Sequence, residues 1–112
     1  LLAESIGKRR ARDGRDVHAG PTPVRAVGVT DQHSQVQLYV EGPFDKWFTL
    51  LCVDSHERSV TIPRGFEDVD ALAYLGGRTL EELFAAEREG TRIALREANR
   101  PNLSVHLSLI HI

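Results

Sequence analysis

Thr30-Asp31-Gln32-His33-Ser34-Gln35-Val36-Gln37-Leu38-Tyr39-Val40-Glu41-Gly42-Pro43 carries both ends of a short helix in its own residues. Thr30 or Asp31 can cap the start, because either side-chain oxygen can accept a hydrogen bond from a first-turn amide that has no partner within the helix. Gly42 suits the left-handed position after the last turn, and Pro43 cannot continue the helix. Val36, Tyr39 and Val40 share an apolar stripe, with Gln35, Gln37 and Glu41 off it. The first turn is polar and contains His33, where the positive helix end disfavours imidazolium and keeps the ring neutral near pH 7. A neutral histidine there can exchange protons with a substrate. The same pattern also suits a histidine at the surface or at the edge of a core.

Upstream, Val24-Arg25-Ala26-Val27-Gly28-Val29 alternates weakly and suits a short strand. Strand, sharp turn and helix then follow one another, the kind of junction at which open α/β sheets place chemistry. Lys8 to Gly20 reads as a loop in which Lys8, Arg9, Arg10, Arg12 and Arg15 are interspersed with Asp13 and Asp16. No aromatic residue is interleaved for base stacking and the aspartates blunt the field, so this is a solvated loop rather than a nucleic-acid surface. Leu1 to Ile6 reads as the tail of a helix, with Glu4 its lone acid. If buried amid Leu1, Leu2, Ala3 and Ile6, that carboxyl would have a raised pKa and be suited to proton abstraction; if exposed, it is an ordinary helical glutamate.

Downstream, Trp47 to Val53 is nearly continuous in apolar and β-favouring residues, the pattern of a strand covered on both faces in a parallel sheet. Cys52 is a small core residue there, and Trp47 a core or interface aromatic. Ser59 to Ile62 reads as an edge strand stopped by Pro63, and Arg64 to Ala73 as acidic and irregular. Thr79-Leu80-Glu81-Glu82 is a capping box that opens a second helix running to about Ala98. Gly90 within it costs about 1 kcal/mol relative to alanine, so this helix relies on packing. Asn99 to Asn102 ends it, and Leu103 to His106 begins another strand. Strands interleaved with helices argue for an α/β architecture.

At 112 residues the chain suffices for one modest domain, and 41% hydrophobic with 27% charged residues is ordinary for a soluble protein. A net charge of −2 gives no global attraction to nucleic acid or to an anionic membrane. The single cysteine cannot form an intrachain disulfide, which fits a reducing, cytoplasmic setting. No apolar run approaches the roughly 18 residues of a membrane span, and no signal-peptide pattern opens the chain. His56 has no second ligand at metal spacing, so no metal is assigned. With no Met in it, the chain reads as a piece of a longer one.

Gly28-Val29-Thr30-Asp31-Gln32-His33-Ser34-Gln35-Val36-Gln37-Leu38-Tyr39 resembles a motif of the bacterial glucose-6-phosphate isomerase (phosphoglucose isomerase) family. Leu2-Ala3-Glu4-Ser5-Ile6-Gly7-Lys8 resembles the segment that precedes it in that family, in the same order. Gly20 to Val24 and Glu41 to Lys46 resemble the flanking pieces, and Tyr74 to Leu80 a downstream one. The resemblance runs with interruptions over residues 1–106. Residues 107–112 depart from it; they are similar to the read-through translation of a transposon adaptor and are set apart as a non-native tail.

The resemblance implies a three-layer αβα sugar-isomerase (SIS) type domain with a mainly parallel sheet, the second of its kind in the family and incomplete in this chain. It implies interconversion of glucose 6-phosphate and fructose 6-phosphate through ring opening and a cis-enediolate, with no metal or organic cofactor. By matching position, Glu4 is the base that moves the proton between carbons 1 and 2, and His33 the ring-opening acid/base. Family members are homodimers with the active site at the subunit boundary and the histidine donated across it, so Glu4 and His33 of one chain are expected to serve different sites. The family's phosphate loop and enediolate-stabilising arginine are expected before residue 1 and its catalytic lysine beyond the chain's end, so residues 1–106 alone are expected to be inactive. The alternative is a non-catalytic sugar-phosphate-binding module of the same fold. Retention of both Glu4 and His33 argues against it, since binding alone needs neither. No nucleic-acid or membrane partner is expected.

Overall fold

A computed structural model describes residues 2–108, which form the elements α1 (Leu2–Ile6), β1 (Lys8–Arg10), β2 (Asp16–Ala19), α2 (Thr30–Glu41), β3 (Phe48–Val53), α3 (Asp70–Ala73), α4 (Leu80–Glu97) and β4 (Asn102–Leu107). Of the tail set apart above, residues 109–112 lie outside the described residues, as does Leu1; Leu107 is the last residue of β4, opposite Val53.

α2 forms where its sequence places it, but neither end is made as expected. Val29, not Thr30 or Asp31, occupies the cap position, and its N–H donates to Gln32 Oε1 at 2.8 Å. Asp31 instead turns its carboxylate back to the N–H of Val27. Val29 sits at φ 72°, ψ −65°, a turn conformation that a β-branched residue adopts only under strain. Gly42 is extended (φ −77°, ψ −171°), not left-handed. A glycine is nonetheless required there for room: a Cβ at Gly42 would stand 2.3 Å from the carbonyl oxygen of Leu38, which its own N–H caps at 3.0 Å. The strand expected over residues 24–29 does not form. Instead the supposed loop after Lys8 folds as the antiparallel hairpin β1–β2, where Arg9 and Arg10 share Asp16 and Arg15 pairs with Asp13. The basic strand β1 and its ion pairs with Asp16 stand in place of the apolar periodicity on which a strand reading depends.

β3 and β4 pair in parallel, in continuous register from Phe48↔Asn102 to Val53↔Leu107. Cys52 is buried, as a small core residue should be, whereas Leu51 is 68% exposed and Trp47 is 73% exposed. The strand is therefore covered on one face rather than two, and Trp47 is no core residue of this chain. The segment at Ser59–Ile62 contributes a single bridge, Thr61 to Thr79, in place of an edge strand.

α4 bears its capping box, with the Thr79 side chain accepting from the Glu82 N–H and the Glu82 carboxylate from the Thr79 N–H. It ends in a Schellman turn: Asn99 takes φ 55°, its N–H donates to Arg96 O, and the Arg100 N–H donates to Leu95 O at 2.7 Å. Asparagine tolerates that left-handed conformation better than most residues. The turn delivers Arg100 to the end of α2, where its guanidinium donates to the carbonyls of Val40 and Gly42 and lies 5.1 Å from the Phe44 ring centroid. Those carbonyls have no partner within α2, and a cation there also meets the negative end of the helix. Phe48 N–H then donates to Pro101 O, so one turn ties α2, β3 and β4 together.

The result is a mixed α/β arrangement whose parallel pair is crossed by α4. Among the described residues only Cys52 and Leu95 are fully buried hydrophobics. The radius of gyration is 19.0 Å and the extents are 68 × 36 × 19 Å, against about 13 Å expected for a compact domain of this length.

Candidate active site

His33 lies in the first turn of α2, exposed, with its backbone N–H directed to Val29 O at 3.4 Å. The preceding residue fixes that turn against α4. Gln32 uses its carbonyl oxygen on the Val29 N–H, and its amide nitrogen donates to the Thr91 hydroxyl and, at 3.4 Å, to the Glu87 carbonyl. These contacts tie the two helices together beside an open cavity of about 340 Å³, lined by Val29, Gln32, His33, Glu87, Gly90 and Thr91. One carboxylate oxygen of Glu87, Oε2, is buried and has no hydrogen-bond partner among the described residues. Further along α2, Tyr39 donates its hydroxyl to Gln35 and packs its ring 4.8 Å from that of Phe48. Burial, and then the charge of Asp31, push its phenol above the ordinary value.

Glu4 is exposed on α1; among the described residues the apolar cover that the sequence suggested around it is not supplied. Its helix neighbours Ala3 and Ile6 line a second open cleft of about 430 Å³, walled by the hairpin residues Lys8, Arg9 and His18 and by Pro21 to Pro23. Gly20 (φ 151°) lets the hairpin close on α1: a Cβ there would approach the Ile6 carbonyl oxygen to 2.9 Å. His33 lines the first of these cavities, and Glu4 lines neither. Among the described residues no group of three or more metal-ligating side chains converges.

Sequence reasoning missed Gln32, Glu87 and Thr91. The signal was present: Glu87 and Thr91 are one turn apart and interrupt, with Gly90, the stripe of Leu83, Ala94 and Leu95 along α4.

Comparison with known proteins gives the chain's kinship. It is 55% identical over 105 residues to a glucose-6-phosphate isomerase of Carboxydothermus hydrogenoformans, covering 94% of this chain and 23% of the relative. Over this stretch the chain is similar to glucose-6-phosphate isomerases. A family member from Rubrobacter xylanophilus is 49% identical over 107 residues, again with 23% of its length covered. The chain thus spans about a quarter of the length of the curated relatives it matches. A crystal structure of a hypothetical protein from Thermus thermophilus superimposes with a TM-score of 0.82 at 42% identity, over 95% of this chain and 25% of that one. No protein-family model matches the chain.

Proposed function

We propose that this stretch supplies the enediolate-forming base, Glu4, and the ring-opening acid/base, His33, of an isomerase that interconverts glucose 6-phosphate and fructose 6-phosphate. The observation that carries the reading is 55% identity over nearly the whole chain to an isomerase of that name, with both residues inside their motifs. The chemistry needs this division of labour. His33 opens the cyclic sugar by giving a proton to the ring oxygen and taking one from the carbon-1 hydroxyl. Glu4 then removes the proton from carbon 2 of the open chain, the carbonyl at carbon 1 taking up the electron pair as an enediolate. The proton of the carbon-2 hydroxyl passes to the carbon-1 oxygen, and as the carbonyl forms at carbon 2 Glu4 returns its proton to carbon 1. A proton beside a carbonyl is weakly acidic, so the base has to be close, oriented and partly desolvated.

The enzyme proposed is cytoplasmic and homodimeric; that Glu4 is exposed and does not line the His33 cavity fits an arrangement in which a second copy brings the histidine to the base and the rest of each polypeptide covers α1. The finer fold proposed is the SIS-type three-layer domain, with β3 and β4 as two strands of its parallel sheet. The test is a chimaera in which residues 1–106 replace the matching stretch of the Carboxydothermus hydrogenoformans relative. Glu4→Gln in it is expected to lower isomerisation and carbon-2 proton exchange by about 10²–10⁴-fold with substrate binding retained. Activity within about threefold of the parent chimaera would sink the assignment.

A further inference from the structure

The cavity beside His33 holds a feature that the isomerase reading does not use. Leaving a carboxylate oxygen in a buried position without a donor is costly, and such groups in native structures almost always find one. Glu87 Oε2 is in that position. The donors on the cavity wall can be taken one by one. The Val29 N–H is committed to Gln32 Oε1, and the Gln32 amide nitrogen to Thr91 Oγ1 and Glu87 O. Gly90 offers only its helical backbone. Two donors are left: the imidazole of His33, which has no side-chain hydrogen bond among the described residues, and the hydroxyl proton of Thr91.

We propose that Glu87 is the positioning residue of His33, its carboxylate accepting the N–H of one ring nitrogen so that the other faces outward for proton exchange. The pairing solves two problems together. It satisfies the buried oxygen, and it fixes the tautomer and the plane of an imidazole that nothing else on α2 orients. Gln32 sets the distance, because it clamps α2 to the Glu87–Thr91 turn of α4 from the residue next to His33. The catalytic consequence rests on the isomerase reading; the pairing does not.

The experiment uses the chimaera described above, with Glu87→Leu, which removes the acceptor, Glu87→Gln, which keeps a neutral one, and Thr91→Val. Selective ¹⁵N labelling of histidine, assigned with His33→Ala, reads the protonation pattern of the His33 ring. The two ring-nitrogen shifts of His33 are expected to lie far apart in the parent, as in a single tautomer. They should converge in Glu87→Leu, recover in part in Glu87→Gln and stay put in Thr91→Val. Turnover of cyclic glucose 6-phosphate should fall about tenfold or more in Glu87→Leu, with a smaller loss on an open-chain analogue and partial recovery in Glu87→Gln. Unchanged His33 shifts in both Glu87 variants, or a change only in Thr91→Val, would overturn the pairing. Equal losses on the cyclic and open-chain substrates would make Glu87 structural and overturn its positioning role. Shifts that move as expected while His33→Ala leaves turnover intact would support the pairing and overturn the isomerase role of His33.

Discussion

The division between His33 and Glu4 makes a prediction that separates their chemistry. His33→Ala in the chimaera is expected to impair turnover of the cyclic sugar more than that of an open-chain analogue, because only the former needs its ring opened. Steady-state assays on both substrates check it, and equal losses would remove the ring-opening role. Tyr39, on the same helix, makes a second. Its phenol is pushed up by burial first and by Asp31 second, so the folded protein holds the neutral form beyond the ordinary value near 10. For an acid raised in the folded state, the stabilising contribution is complete below the ordinary pKa and is lost as pH rises through the folded one. The Tyr39→Phe difference in phenolate absorbance of the chimaera should therefore appear late in an alkaline titration. A difference centred at or below the ordinary value would show that α2 does not pack on Phe48 as described.

Between residue and molecule, the turn Ala98–Asn102 is the joint that fixes the histidine-bearing helix. Arg100 donates to two carbonyls at the end of α2 and faces Phe44. Hydrogen bonds to charged groups are worth about 1.5–3 kcal/mol, so Arg100→Ala should destabilise the chimaera by about that amount in urea unfolding and speed hydrogen exchange at Gly42. Arg100→Lys should recover only part, since an ammonium lacks the planar fork that spans two carbonyls. An unchanged midpoint would mean that α2 is held by something else. Arg100 also shows where sequence reading stops. The two long helices were legible because their periodicity and the Thr79 capping box are local signals, and β3 and β4 because β-favouring residues cluster there. The cap at Val29 was not, because a side chain three positions on, Gln32, supplies the acceptor that Thr30 or Asp31 was expected to provide. The hairpin β1–β2 was hidden by its charges. The cavity beside His33 depends on two helices meeting 55 to 59 residues apart in sequence, and the polar break in the α4 stripe does not say which helix faces it. For the site itself, Glu4 and His33 came from motif resemblance, and the place of Glu87 beside His33 from the packing.

On the scale of the whole molecule, the chain has faces but little interior. Leu51, Trp47, Phe44, Phe66 and Tyr74 are each about two-thirds or more exposed, and the chain is drawn out to 68 Å. The two buried hydrophobic side chains among the described residues are far from the apolar burial needed to offset the conformational entropy of folding. Residues 1–106 expressed alone are therefore expected to melt without a sharp cooperative transition. They are also expected to give no turnover, because groups that position the phosphate and stabilise the enediolate each contribute several kcal/mol to the barrier. The most direct measurement is a coupled fructose 6-phosphate assay run on residues 1–106 and on the chimaera side by side, with size-exclusion profiles and melts of both. The expected result is a dimeric chimaera that turns over and loses that turnover with Glu4→Gln, beside an inactive, non-cooperatively melting chain. A folded, dimeric chimaera without turnover, or an isolated monomer that turns over and melts sharply, would contradict the account.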